Sequence, residues 1–224
     1  MSQIGLPFDW AGQAHSGNFL VSEANEAAFR HIEGWRDWPV PISILSGPAQ
    51  SGKSMLGQHF RAVSGGTVIE DADRQDNTAL FHQWNIARDS GCPLLLIARP
   101  APERWTVALP DLRSRLAAAP HMRLGEPDDA LVQALIETGL AQAGSAYSPD
   151  LPQWLSRRIE RSYGAVAAVL ERLNGLSIAS GRKISVPLAK EALHGGGFLP
   201  IVADDSAPGP AADSQNNRKS ADDV

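Results

Sequence analysis

The run Gly47-Pro48-Ala49-Gln50-Ser51-Gly52-Lys53-Ser54 constrains this chain more than any other feature, because it is an unbroken G-x-x-x-x-G-K-S. A phosphate loop of this kind needs a strand to deliver it and a helix to receive it. Both are written beside it: Pro41 to Leu45 reads as a buried strand and Met55 to Val63 as a helix. The glycines let backbone N–H groups turn inward on a phosphate, Lys53 brings a point charge to the β/γ oxygens, and the Ser54 hydroxyl suits a Mg²⁺. A glycine-rich turn entering a helix is the plainer alternative. The Lys-Ser ending and the flanks favour nucleotide binding, with Mg²⁺ as the expected metal.

A length of 224 residues allows one α/β domain and a small companion. The net charge of -5 and a pI of about 5.7 leave no basic footprint for wrapping DNA, so no strong direct contact with nucleic acid is expected. Cys92 is the single cysteine and has no intrachain disulfide partner. No charged-then-apolar leader opens the sequence, and the apolar runs at 42–45 and 93–98 are too short to cross a bilayer. The expectation is a cytoplasmic protein without a membrane segment.

From Ser22, a plausible N-cap, the pattern turns helical to about Arg36, with Ala27, Ile32 and Trp35 contributing an apolar stripe. After the phosphate-loop helix, Thr67-Val68-Ile69 reads as a second strand ending in Glu70-Asp71. Acids at the carboxyl end of a strand beside a phosphate loop sit where a Mg²⁺ and its attacking water would lie. Leu80 to Ser90 reads as a helix, Leu94 to Ala98 as a strand buried on both faces, and His121 to Leu124 as a short strand. Strands alternating with helices predict a layered α/β fold with a parallel sheet.

Gly125-Glu126-Pro127 breaks the chain, and from Asp128 the pattern is all helical: 128–143, a segment from Ser148 through Ile159, 163–176 and 186–194. The expected domains are an N-terminal peptide and linker at 1–14, a nucleotide-binding α/β domain at 15–126 and a small all-α lid at 127–197. The polar residues 198–224 cannot bury enough apolar surface to order. His59, His82 and His121 are too scattered for a metal site, and Trp35, Trp38, Trp84, Trp105 and Trp154 read as core filler. Leu6 and Phe8, flanking Pro7, read either as exposed anchors or as a strap tucked into the protein's own core.

A phosphate-loop sheet followed by a helical lid resembles the AAA+ plan, in detail its DnaA branch, and most narrowly the Hda family of DnaA-homologous regulatory inactivators. The residues that carry the resemblance are Asn18-Phe19-Leu20-Val21 with Asn25, Gly47 to Ser54, Leu109-Pro110-Asp111-Leu112 with Ser114-Arg115-Leu116, and Ser180 to Ile184 with Ala189-Lys190-Glu191. It spans about residues 3–196. The resemblance implies that Phe19 and Val21 flank the adenine and that Arg115 is an arginine finger offered to ATP held by DnaA. Without the resemblance, Arg115 reads as a surface or lid-facing salt bridge and Arg113 as a solvated side chain.

The resemblance also implies that Gln3-Ile4-Gly5-Leu6-Pro7-Phe8 is a peptide that docks on the DNA sliding clamp, the β subunit of DNA polymerase III, with Gln3, Ile4, Leu6, Pro7 and Phe8 as its contacts. Clamp and DnaA are then the expected partners, with a homodimer left open. The sequence departs from the family in four places. The segment between the phosphate-loop helix and Thr67 is short and leaves no room for the strand-helix unit the family has there, so the sheet is expected to lack an edge strand. Glu70 stands where an aspartate is usual, Ala98-Arg99 offers no clear polar sensor, and Gly164 falls where the lid arginine should stand, with Arg161 one turn earlier as a substitute. The resemblance with these departures implies ADP or ATP, ADP foremost, held as a structural or switching ligand, with intrinsic hydrolysis slow or absent. An adaptor or loader for other replication proteins, or a phosphate-loop kinase, are the rival readings.

Overall fold

The computed structural model describes residues 19–143 and 146–194. The N-terminal peptide Gln3 to Phe8 and the polar tail lie outside the described residues. Four strands form one parallel sheet: β1 (Ile42–Ser46), β2 (Thr67–Ile69), β3 (Leu94–Ala98) and β4 (His121–Arg123), in the order β2-β3-β1-β4. Both central strands, β1 and β3, are buried along their whole length, as expected where helices cover both faces of a parallel sheet. β2 is the edge on its side, and no described strand continues beyond it.

Alternation along the strands sorts the core into two layers. Ile42, Ile44, Leu94, Leu96 and Ala98 point to one face and pack with Leu80, Trp84 and Ala87 of α3 (Asn77–Ser90) and Leu112 and Leu116 of α4 (Pro110–Ala118). Leu45, Leu95 and Ile97 point to the other and pack with Ala28 and Ile32 of α1 (Glu26–Glu33) and Leu56 and Phe60 of α2 (Lys53–Ser64). Gly57 allows α2 to lie close on the sheet, since a Cβ there would come within 2.8 Å of Ile97 Cδ1.

Helix α1 is shorter than its sequence pattern predicts, and Ser22 is not its N-cap. Asn25 holds that position, but its side chain is committed elsewhere: Nδ2 donates to Leu20 O at 2.8 Å and Oδ1 accepts from Ser22 N at 2.8 Å. Asn25 thereby shapes the segment leading into α1 instead of capping it. The helix gives way at Gly34 to a 3-10 turn over Trp35–Asp37. Trp38 then stacks on His31 and Phe60 at ring separations of 5.0 and 5.3 Å, the filler role expected of it.

The second unit contains α5 (Asp129–Gln142), α6 (Leu151–Ser156), α7 (Tyr163–Ser180) and α8 (Val186–His194). Its core is separate from the sheet's, built from Val132, Ile136, Leu155, Val169, Leu173 and Leu188 among others. Gly139 lets α5 and α7 approach, with a Cβ there meeting Leu170 Cδ1 at 2.4 Å. Ser162 caps α7 through Ala165 N at 3.1 Å, and Gly181 ends it in the left-handed region. α6 is a short helix where the sequence suggested one reaching Ile159, and α7 extends one turn past the expected Leu176.

Candidate nucleotide-binding site

β1 delivers the phosphate loop and α2 receives it at Lys53. Two loop residues need the left-handed region, Gln50 at φ 62° and Gly52 at φ 86°, and these reversals turn successive amides toward one concavity. A Cβ on Gly52 would come within 2.8 Å of Phe19 Cε2. Phe19 therefore lies directly against the loop, stacked on Phe29 at 6.0 Å, whereas Val21 is exposed.

Lys53 is buried and its ammonium is folded into the loop. Nζ donates to Gly47 O at 2.9 Å and also to Pro48 O. Ser51 Oγ donates to the same Pro48 carbonyl at 2.9 Å. Burial lowers the Lys53 pKa, with the Arg99 charge adding to the effect and Glu70 and Asp71 opposing it. An incoming phosphate would exchange two loop carbonyls for anionic oxygens as the partners of Nζ, so the residues present fit a di- or triphosphate.

Ser54 and Glu70 meet across the gap between α2 and β2, with Ser54 Oγ donating to Glu70 Oε2 at 3.3 Å. Partial burial pushes the Glu70 carboxyl up and Asp71 adds to this, against the Ser54 hydroxyl and the Arg61 and Lys53 charges. A hydroxyl and one carboxylate suit a Mg²⁺ that completes its shell with water and phosphate oxygens. Among the described residues no cluster of three or more His, Cys, Asp or Glu exists, so an all-protein metal cage is not built here. Asp71 is exposed and sits at φ 46°, opening the 3-10 turn Ala72–Arg74.

Gly164 is the lid residue that faces the phosphate loop at Gln50. A Cβ on Gly164 would lie 3.8 Å from Gln50 Oε1, which puts this glycine opposite the phosphate loop. Arg161, the alternative lid cation, has its Nε paired with Asp129 Oδ1 at 2.7 Å on α5, both side chains exposed. Asp128, the N-cap of α5, accepts from Leu131 N at 2.7 Å and from Ala24 N at 3.2 Å. One carboxylate thus ties the start of the lid to the segment that follows Phe19. Sequence reasoning missed this residue's second partner, which is 104 positions away.

Arg115 lies on the sheet face opposite α2, and its side chain is engaged within the chain. Nη1 donates to Asn85 Oδ1 at 2.7 Å, Nη2 pairs with Asp111 Oδ2 at 2.9 Å, and the guanidinium covers the Phe81 ring at 4.5 Å. Arg113, expected to be solvated, instead donates to Val107 O, although the residue remains exposed.

Residues 128–193 match the family model described as "Hda, lid domain". Among solved structures, domain III of the replication initiation protein DnaA from Thermotoga maritima superposes with a TM-score of 0.70 at 14% identity, covering 82% of this chain and 97% of that one. AMPPCP-bound DnaA from Aquifex aeolicus gives a TM-score of 0.57 at 15% identity over 74% of this chain and 66% of that one. The Thermotoga maritima RuvB Holliday junction branch migration motor gives 0.58 at 12% identity over 76% and 67%. A parallel sheet with a phosphate loop, followed by a four-helix lid, makes this an AAA+ protein of the architecture shared by DnaA and RuvB. The match across the lid narrows the class, and the chain is an Hda-like AAA+ protein. Among the described residues no helix is long and apolar enough to cross a membrane.

Proposed function

We propose that this protein is a cytoplasmic, nucleotide-binding regulator of replication initiation that docks on the DNA sliding clamp and stimulates ATP hydrolysis by DnaA. The observation that carries the reading is an Hda-type lid joined to an intact phosphate loop. Gly47, Pro48, Ala49, Gln50, Ser51, Gly52, Lys53 and Ser54 hold ADP or ATP, Phe19 and Val21 flank the base, and Ser54 with Glu70 holds Mg²⁺. Intrinsic hydrolysis is slow or absent, since Gly164 brings no charge from the lid to the phosphates. The nucleotide then sets the protein's posture and is not a fuel.

Gln3, Ile4, Leu6, Pro7 and Phe8 anchor the chain to the clamp, and Arg115 enters the site of a neighbouring DnaA. A guanidinium reaching a γ-phosphate neutralises charge developing in the transition state, an effect on the order of 10³–10⁵ in rate. The test is clamp-dependent hydrolysis of DnaA-bound ATP, with Arg115→Ala and with Gln3, Leu6 and Phe8 changed together to alanine. Both variants are expected to lose stimulation, and the second also to lose retention on immobilised clamp.

A second reading takes its support from the bonds of Arg115 to Asn85 and Asp111. In that reading Arg115 is a structural tie between α3 and α4, and the protein is an adaptor for other replication proteins. Full stimulation by Arg115→Ala would favour it.

A further inference from the structure

The guanidinium of Arg115 is held on three sides, and one of its three holders carries a charge that the other two lack. Phe81 and Asn85 stand one turn apart on α3 and so share a face of that helix. The Phe81 ring lies under the guanidinium at 4.5 Å, and Asn85 Oδ1 accepts from Nη1 at 2.7 Å. Both side chains are neutral. Asp111 comes from one turn earlier on the arginine's own helix, and its Oδ2 accepts from Nη2 at 2.9 Å. The remaining N–H donors of the guanidinium have no acceptor among the described residues.

Neutral and charged holders act oppositely on an approaching anion. A ring face and a carboxamide fix the plane of the cation and leave its charge intact, which prepares it for a phosphate. A carboxylate in contact cancels that charge, because at similar distances its repulsion of a phosphate is about as large as the attraction of the guanidinium. Arg115 paired with Asp111 therefore offers an incoming triphosphate little net charge, and its side chain is only 22% exposed. Release costs little: the Asp111 side chain is 68% exposed and regains water as it swings away. Asn85 is half-buried on the neighbouring helix, and its bond does not have to break.

We propose that Asp111 is an autoinhibitory partner of Arg115, a competing anion that masks the finger's charge until a triphosphate on a neighbouring subunit displaces it, while Asn85 and Phe81 are positioning residues that hold the guanidinium through the exchange. This rests on the finger reading above and adds a regulation to it. No covalent bond changes; one oxyanion replaces another on Nη2. A free chain then carries its finger covered, and the charge is released only where a phosphate is present to take it.

The test is clamp-dependent hydrolysis of DnaA-bound ATP with the full chain and with Asp111→Asn, Asn85→Ala, Asn85→Asp and Arg115→Ala, each variant's melting temperature being measured beside it. Asp111→Asn keeps the shape and removes the charge, so stimulation is expected to rise about two- to fivefold, the range for one exposed ion pair, while the melting temperature stays level or falls slightly. Asn85→Ala is expected to lower the maximal stimulated rate at least about tenfold, with little change in the concentration of this protein that gives half of it. Asn85→Asp keeps the volume but adds a second masking anion, and is expected to lower stimulation although a new ion pair would strengthen a mere tie between α3 and α4. Opposite signs at positions 111 and 85 are the signature. Unchanged or reduced stimulation by Asp111→Asn would overturn the masking, and wild-type stimulation by either Asn85 variant would overturn the positioning. Full stimulation by Arg115→Ala would instead remove the finger itself, so failure of the proposal and failure of the reading beneath it are told apart.

Discussion

Gly164 faces Gln50 across the junction of lid and sheet, a Cβ on the glycine lying 3.8 Å from the glutamine Oε1. At this point the lid presents no side chain to the phosphate loop. Gly164→Arg places a cation there from an exposed helical position, where loss of glycine itself favours the helix by up to about 1 kcal/mol. A charge-assisted phosphate contact is worth about 1.5–3 kcal/mol, so the variant is expected to bind the ATP analogue at least tenfold more tightly. Unchanged affinity in a calorimetric titration would mean that the lid does not close over the phosphates.

The contact of Ser54 with Glu70 makes metal binding sensitive to pH. Burial raises the Glu70 pKa, so the free site holds its proton to higher pH than an ordinary glutamate. Mg²⁺ must displace that proton, and the Mg²⁺-dependent part of nucleotide affinity is expected to rise with pH through the raised value. Glu70→Gln removes the titration and with it most of the Mg²⁺ dependence. For folding the sign is reversed: the contribution of Glu70 is fully present below the ordinary glutamate value and is lost as pH rises through the raised one. Titrations of nucleotide with and without Mg²⁺ across the acid range, on both proteins, decide the point.

Asp128 acts in the other direction. Hydrogen bonds from Leu131 N first, and from the Ser22 side chain and Ala24 N, outweigh burial and lower its pKa. Its stabilisation is present above the ordinary aspartate value and is lost as pH falls through the lowered one. Asp128→Ala removes the N-cap of α5 and the tie to Ala24, an expected cost of about 1–2 kcal/mol in urea unfolding. A cost near zero would show that the lid's first turn is held by packing alone.

Tyr163 has a buried hydroxyl without a hydrogen-bond partner, and burial, with the Glu126 and Asp128 charges, pushes its pKa up to about 12. Because the folded state retains the proton, stability is expected to fall as pH rises between the ordinary tyrosine value of about 10 and that raised value. Tyr163→Phe removes the orphaned group and is expected to be neutral or stabilising by up to about 1 kcal/mol. In a Tyr147→Phe background Tyr163 is the sole tyrosine, so phenolate absorbance reports it directly. Ionisation near pH 10 in the folded protein would contradict its burial.

What the sequence made legible was local. The phosphate loop, the apolar runs of β1 and β3 and the break at Gly125-Glu126-Pro127 each announce themselves within a few residues, and the four-stranded sheet follows from their alternation. What it hid depends on distant partners. Asn25 looks like part of a helix but spends its amide on Leu20 and Ser22, leaving Ser22 outside the helix. Arg115 finds Asn85 thirty positions away. Periodicity predicts which face a residue takes, not whose charge it will meet there.

Gly57 carries a consequence for any attempt to stiffen α2. Alanine is the better helix former by roughly 1 kcal/mol, yet the added methyl would strike Ile97 and Val68 and lever the helix outward. Lys53 and Ser54 ride on the first turn of that same rod. A change made for rigidity three residues downstream would thus tilt both side chains out of register with the loop, trading ligand grip for fold strength at a position that touches no ligand.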